Sequence, residues 1–208
     1  MRIGFILECS LGGPDAIIYP YVANKLCPQL IIETPETLKD KKTLLQEAPM
    51  VAEILLAAGC DKVFIIWDRK PRWGIGGNCD SDKQILIHEL SKLNIPLQDV
   101  FLCCIDEMLE SWLIADGRGV TNWITSKTTH KIRPFNDHKA SNQNAPKEKI
   151  DSYLKQNFPK ITYNDYIHNL EIIKSLPDFN KAIKWNNSFG EFANSINRIC
   201  PPIKKSKI

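Results

Sequence analysis

Two short apolar runs set the pattern of the first half of the chain: Ile3-Gly4-Phe5-Ile6-Leu7, closed by Glu8, and Val63-Phe64-Ile65-Ile66-Trp67, closed by Asp68. Runs of this length, rich in β-branched and aromatic residues and separated by a helical stretch, predict buried parallel strands. The turn-rich stretch 10–15 leads into a predicted helix over 16–26. Residues 29–33 predict a second strand, broken at Thr34-Pro35, and 38–58 predict a helix with Leu44, Leu45, Met50, Val51, Ile54, Leu55 and Ala58 near helical spacing. Pro49 marks a kink or split in that helix, and Gly59 suits its C-terminal cap. A glycine-rich, basic loop over 69–80 follows Asp68, then a helix over 83–93 capped by Ser81 or Asp82, and a fourth strand over 100–104. The β-α-β-α-β-α-β order predicts an α/β fold, with a mainly parallel sheet of about four strands flanked by helices.

Residues 107–115 predict one more helix, with Leu109, Trp112 and Leu113 turned inward and Asp116-Gly117 ending it. Beyond Thr121 the pattern changes to polar, amide-rich and basic as far as Asn144, followed by helical pieces over 146–158, 166–176 and 189–199 and a basic tail. The expected organisation is an α/β core over 1–120 and a helical, basic extension over 121–208 packed on it.

Composition narrows the classes. A net charge of +3 permits a polyanionic partner without demanding one. The seven cysteines are odd in number and show no Cys-x-x-Cys or Cys/His zinc spacing, so they read as reduced thiols of a cytoplasmic protein, serving as small core residues. The first apolar run is cut by Gly4 and Glu8, unlike a signal peptide, and no segment approaches the roughly 18 apolar residues of a membrane span. Gly74-Ile75-Gly76-Gly77 lacks the full dinucleotide fingerprint, and no Gly-Lys-Ser/Thr loop is present, which argues against nicotinamide, flavin and ATP-hydrolysing sites. Cys9 and Ser10 have no nucleophile motif or evident base, and neither His88 nor His168 sits in a ligand pattern.

The candidate chemistry lies in acids at strand ends. Ligands of open α/β sheets bind outside the carboxyl ends of the strands, where Glu8 and Asp68 could hold a hard divalent cation. Each has a structural alternative: a capping or loop role for Glu8, an ion pair to Arg69 or Lys70 for Asp68. Glu110 and Asp116 are further candidates, with Asp106 and Glu107 just upstream. Glu107 and Glu110 share a helical face, but acids there also favour a helix N-terminus, and Asp116 could simply end the helix. Arg69, Lys70, Arg72 and Lys83, with Trp73 among them, suit a phosphate backbone and a stacked base; a solvated loop fits equally. A second basic stretch runs through Lys127, Lys131, Arg133, His138, Lys139, Lys147 and Lys149, and such runs are usually solvated faces.

Glu8, Asp68 and the string Leu109-Glu110-Ser111-Trp112-Leu113-Ile114-Ala115-Asp116 together resemble a Toprim-like family, the small stand-alone Toprim-related proteins encoded beside AAA-type ATPases in bacterial anti-phage defence loci. Ala145-Pro146-Lys147 and Asn187-Ser188-Phe189-Gly190-Glu191-Phe192 are similar to that family's C-terminal half, so the resemblance covers most of the chain. It implies a Rossmann-like Toprim sheet binding Mg2+ or Mn2+ for phosphodiester chemistry, with Glu8 as ligand or general acid/base and Asp68 as the first aspartate of an Asp-x-Asp pair. The second position of that pair holds Lys70. The missing charge then comes from Glu110 or Asp116, or Lys70 itself stabilises the transferring phosphate. Lys147 would join Arg69 and Arg72 in positioning the backbone. The implied activity is a nuclease acting on DNA or on RNA such as a transfer RNA, the toxic effector of a defence system with an AAA-type ATPase partner. Two other readings stand beside it: a non-catalytic Toprim-like subunit that binds the ATPase or nucleic acid, and a nucleotide-binding or phosphotransfer enzyme of Rossmann-like fold.

Overall fold

A computed structural model describes residues 1–70, 78–158 and 161–200. Strand β1 (Arg2–Leu7) lies at the middle of a parallel sheet. On one side it pairs with β2 (Ile31–Ile32) and β3 (Glu36–Thr37), and on the other with β4 (Lys62–Asp68), which in turn pairs with β5 (Val100–Ile105). Phe5 stands opposite Phe64, Leu7 opposite Ile66, and Asp68 opposite Ile105. The expected α/β class and parallel sheet are present, with one strand more than the pattern suggested. Thr34-Pro35 interrupts the edge instead of ending it: Pro35 has no N–H to give to a ladder, and pairing resumes at Glu36 opposite Ile6.

The period of two along each strand splits the core. Ile6, Val63, Ile65, Trp67, Val100 and Cys104 pack under α2 (Lys41–Ala57) and α3 (Cys79–Lys92). Ile3, Phe5, Leu7, Phe64 and Ile66 face the opposite side, toward α1 (Asp15–Leu26), α4 (Glu110–Ala115) and α9 (Asn187–Ile199). Around these pack α5 (Arg118–Lys127), α6 (Pro146–Asn157), α7 (Asp165–Lys174) and α8 (Asn180–Trp185). Phe192 of α9 lies among Phe5, Phe64 and Trp112, and Trp112 stacks on Phe189 with ring centres 4.2 Å apart. Both halves of the chain therefore share one core.

Local chemistry moved several boundaries. Pro49 stays inside a continuous α2, which starts at Lys41 because the Asp40 carboxylate accepts the Thr43 N–H at 2.9 Å. Asn78, not Ser81 or Asp82, caps α3, accepting the Asp80 N–H at 2.9 Å. Asp82 turns inward instead, accepting Trp67 Nε1–H at 3.1 Å and pairing with Lys41 at 3.0 Å. Helix α4 begins at Glu110 rather than at Glu107, whose φ of 62° is left-handed and cannot extend a helix. Helix α5 was not foreseen; Val120, Trp123 and Ile124 supply its buried face within a polar stretch, and it spans position 120.

The expectation of seven reduced thiols is corrected for four of them. Cys27 and Cys200 are disulfide-bonded, as are Cys79 and Cys104, while Cys9, Cys60 and Cys103 are free and buried. Pairings across 173 and 25 residues leave no local spacing signal. No described helix is long and apolar enough to cross a membrane.

Candidate functional site

The chain leaves β1 toward β2 and β3 at one side and returns to β4 at the other, so the topological switch lies between the carboxyl ends of β1 and β4. Glu8 and Asp68 stand there. The Glu8 N–H donates to the Ile66 carbonyl at 3.0 Å, and the Asp68 N–H donates to Glu8 Oε2 at 3.1 Å. Four helices begin beside them: Asp15 opens α1, Glu110 opens α4, Lys147 lies in the first turn of α6, and Asp165 opens α7. Helix N-termini favour nearby negative charge, which helps to explain the acids in all four first turns, Asp15, Glu110, Glu148 and Asp165. Glu8, Asp15, Asp68, Glu110, Lys147 and Asp165 line one cavity of about 200 Å³.

Three carboxyls of this cavity, Glu8, Asp15 and Asp68, are held away from full ionisation. Burial pushes Glu8 up to about 7, reinforced by Asp40 and Asp82 against the opposing Asp68 amide and Lys41. Burial and then the Glu110 charge push Asp15 up to about 7, with Lys147 working against them. Asp68 is raised well above the ordinary carboxylate range, first by burial, then by Asp15, Glu8 and Glu110. No described residue donates a hydrogen bond to the side chain of Asp15 or Asp68.

Glu110, 2% exposed, is anchored through one oxygen. Its Oε1 accepts Asn169 Nδ2–H at 3.0 Å and the Tyr163 hydroxyl at 3.3 Å, and lies 3.4 Å from Lys147 Nζ; no described residue donates to Oε2. Lys147 also pairs with Asp165 Oδ2 at 2.7 Å. Burial opposes the Lys147 ammonium, but Glu110 and Asp165 outweigh it and raise its pKa above the ordinary lysine value. Burial likewise opposes ionisation of Asp165, and Lys147 outweighs it, lowering that carboxyl.

Among the described residues no three of these side chains are already drawn tightly around a single point. The donor set nonetheless fits a hard divalent ion: the atoms that would ligate it are carboxylate oxygens, two of the carboxylates lack described protein donors, and, after burial, mutual repulsion raises their pKa values, a repulsion that a cation would relieve.

Of the residues expected from sequence, Glu8, Asp68, Glu110 and Lys147 are brought together. Lys70 is not: its Nζ pairs with Glu107 Oε1 at 2.8 Å, outside the cavity lining. Arg69 Nη2 holds Glu107 at 2.9 Å and Asp106 at 3.0 Å, and the Lys70 N–H donates to the Glu107 carbonyl, so the left-handed Glu107 organises this basic rim. Asp116 is fully buried against Arg118, whose Nε lies 2.9 and 3.0 Å from its two oxygens, apart from the cavity. Lys83, on α3, faces Glu191 at 3.8 Å, also outside it. Arg72 and Trp73 lie outside the described residues. Asp15 and Asp165 were missed: each reads as an ordinary acid in a first helical turn, and the one available cue is that the loop after Glu8 ends at Asp15. Comparison with family models, curated proteins and solved structures found no match to this chain.

Proposed function

We propose that this cleft is the active site of a divalent-metal-dependent nuclease, with Mg2+ or Mn2+ held by Glu8 and Asp68 and with Asp15 in the role that Lys70 does not fill. The observation that carries this reading is the convergence of Glu8, Asp15, Asp68, Glu110 and Asp165, two of them without described protein donors, at the switch point of the sheet. When bound, the ion supplies positive charge at the scissile phosphodiester. Burial holds the metal-free Glu8 carboxyl near 7, so taking up the ion would release its proton at neutral pH. Lys147 stays protonated at pH 7 and offers N–H donors to a phosphate oxygen from the far wall of the cavity. Glu110, fixed through Oε1 by Asn169 and Tyr163, keeps Oε2 for the ion and holds Lys147 in place.

The Toprim-like resemblance extends the proposal to substrate and setting: DNA or an RNA such as a transfer RNA, in the cytoplasm, with an AAA-type ATPase partner that licenses a toxic effector of phage defence. The test is cleavage of plasmid DNA and total transfer RNA with Mg2+ or Mn2+, by the chain alone and with the ATPase. Cleavage lost on Glu8→Gln and on Asp68→Asn, with folding intact, is the expected result; equal cleavage by either variant overturns it. One observation favours the rival, non-catalytic reading: the Lys147 ammonium already offsets part of the charge on Glu110 and Asp165. In that case the protein binds its partner or nucleic acid with no dependence on divalent ions.

A further inference from the structure

The cleft does not end at the acids. Lys147 and Asp165 also line a second cavity, bounded by Met108, Asp151 and Tyr163. Glu148 also lines a third, of about 540 Å³, between α6 and the segment 133–138. The three cavities thus adjoin through shared lining residues, from the acids along the first turns of α6 to a pocket of the size that takes small organic ligands, roughly 300–1,000 Å³. No residue lining the acid cleft lines that pocket.

We propose that this third cavity receives an unstacked base of a single-stranded nucleic acid whose backbone reaches the acid cleft. The proposal rests on the nuclease reading and names its substrate class. The pocket has an aromatic wall: Phe135 and Tyr153 meet edge to face with ring centres 5.0 Å apart, and the Tyr153 hydroxyl is tied to the Arg133 carbonyl. Two exposed amides, Asn136 and Gln156, line it without a described hydrogen-bond partner. Amides carry both donors and acceptors, as the edge of a base requires. The exposed Arg133 has no described carboxylate partner and can meet a phosphate or lie flat on a base.

Charge decides between a base and a polyphosphate. Arg133 and Lys149 bring two positive charges and Glu148 one negative. Lys149 is moreover committed to the Asn142 and Asn144 carbonyls, where it ties down the preceding loop. A surplus of one charge suits a base with one flanking phosphate and is too small for a di- or triphosphate. A base paired within a duplex presents neither its face nor its pairing edge to such a pocket, so only an unpaired nucleotide can enter.

The test separates the pocket from the acids. In a Glu8→Gln background, fluorescence anisotropy with Mg2+ is measured for a labelled 12-nucleotide single strand, as DNA and as RNA, for the same strand carrying abasic positions, and for a blunt duplex. The expected result is that duplex and abasic strands bind about tenfold more weakly than the intact strand, and that Arg133→Ala/Gln156→Ala removes this preference. Hydrolysis of bis(4-nitrophenyl) phosphate, too small to span both cavities, is measured with Glu8 intact and should be unchanged by the double substitution. Equal binding of duplex or abasic strand overturns the proposal, as does undiminished base preference in the double variant. Absence of hydrolysis in the wild type counts against the nuclease reading alone, because strand preference is read without cleavage. Should the double variant melt early, quenching of 2-aminopurine in the wild-type complex decides: a base on the Phe135–Tyr153 wall is quenched, and an unquenched one overturns the proposal.

Discussion

The acid cleft and the corner around Asp116 place aspartates in similar settings and treat them in opposite ways. Asp15 opens α1, Asp68 ends β4, and Asp116 stands between the end of α4 and the start of α5. Asp116 accepts the single Arg118 Nε–H, shared between its two oxygens, an Nη2–H at 2.5 Å and the Arg118 backbone N–H at 3.1 Å, and Asp178 braces the same guanidinium at 3.4 Å. That pairing raises the Arg118 pKa and leaves nothing on Asp116 for a ligand. Asp68 and Asp15 face other acids and a cavity instead, and their carboxyls are pushed up. Saturation by a partner, rather than position in a motif, separates a structural acid from a candidate ligand, and Asp116 shows this at the end of the same string that Glu110 opens.

The largest expected difference between the two regions is in substitution. Glu8→Gln and Asp68→Asn should lower cleavage a hundredfold or more while leaving the metal-free protein as stable as the wild type or more so, since each removes a charge that the cleft repels. Asp116→Asn should do the reverse. It weakens the charge-assisted hydrogen bonds of a fully buried carboxylate to Arg118 and costs about 2 kcal/mol, or about 4–8 °C of melting temperature, with cleavage by the folded protein retained. Stabilities that change in the same direction in both regions would erase the contrast.

A pH titration sharpens it next. Glu8 and Asp15 ionise near 7 when folded but near 4 when unfolded, so between those values the folded state binds more protons. Their contribution to stability is therefore full below about pH 4 and lost as pH rises through 7. Each of these groups is flanked by both signs, Glu8 by Lys41, Asp40 and Asp82, and Asp15 by Glu110, Lys147 and Asp165, so the net effect is modest. The metal-free protein should melt a few degrees lower at pH 8 than at pH 5.5, and Mg2+ should recover more of that loss at pH 8 than at pH 5.5. Asp116→Asn should leave this slope intact, whereas Glu8→Gln should flatten it.

The smallest effect concerns the two lysines. Lys147→Ala should reduce cleavage at least tenfold, because its ammonium lies within the cleft between Glu110 and Asp165. Lys70→Ala removes an exposed ion pair with Glu107 and should cost less than about 1 kcal/mol, with cleavage changed only a few-fold. A larger loss from Lys70 would restore it to the reacting phosphate.

Much of the sheet was legible because burial on both faces forces near-continuous apolar runs in β1, β4 and β5. Edge strand β3 was hidden by its length, two residues after a proline, and α5 by the polar residues around its narrow buried face. Glu8 and Asp68 could be read at strand ends, since the carboxyl end of a parallel strand is a position the sequence marks. Asp15 could not be told from any first-turn acid, and the joining of Lys147 and Asp165 to Glu110 depends on packing across 37 to 55 residues that no local spacing encodes. The disulfides are hidden for the same reason.

If Glu8, Asp15 and Asp68 share a divalent ion, the most direct test is binding of Mn2+ at pH 7.5, followed by loss of its free-ion electron paramagnetic resonance signal. The wild type should bind Mn2+, Asp68→Asn and Asp15→Asn should each weaken binding at least tenfold, and Asp116→Asn should bind as the wild type does. No binding by the folded wild type, or equal affinity in Asp68→Asn, would contradict a shared ion.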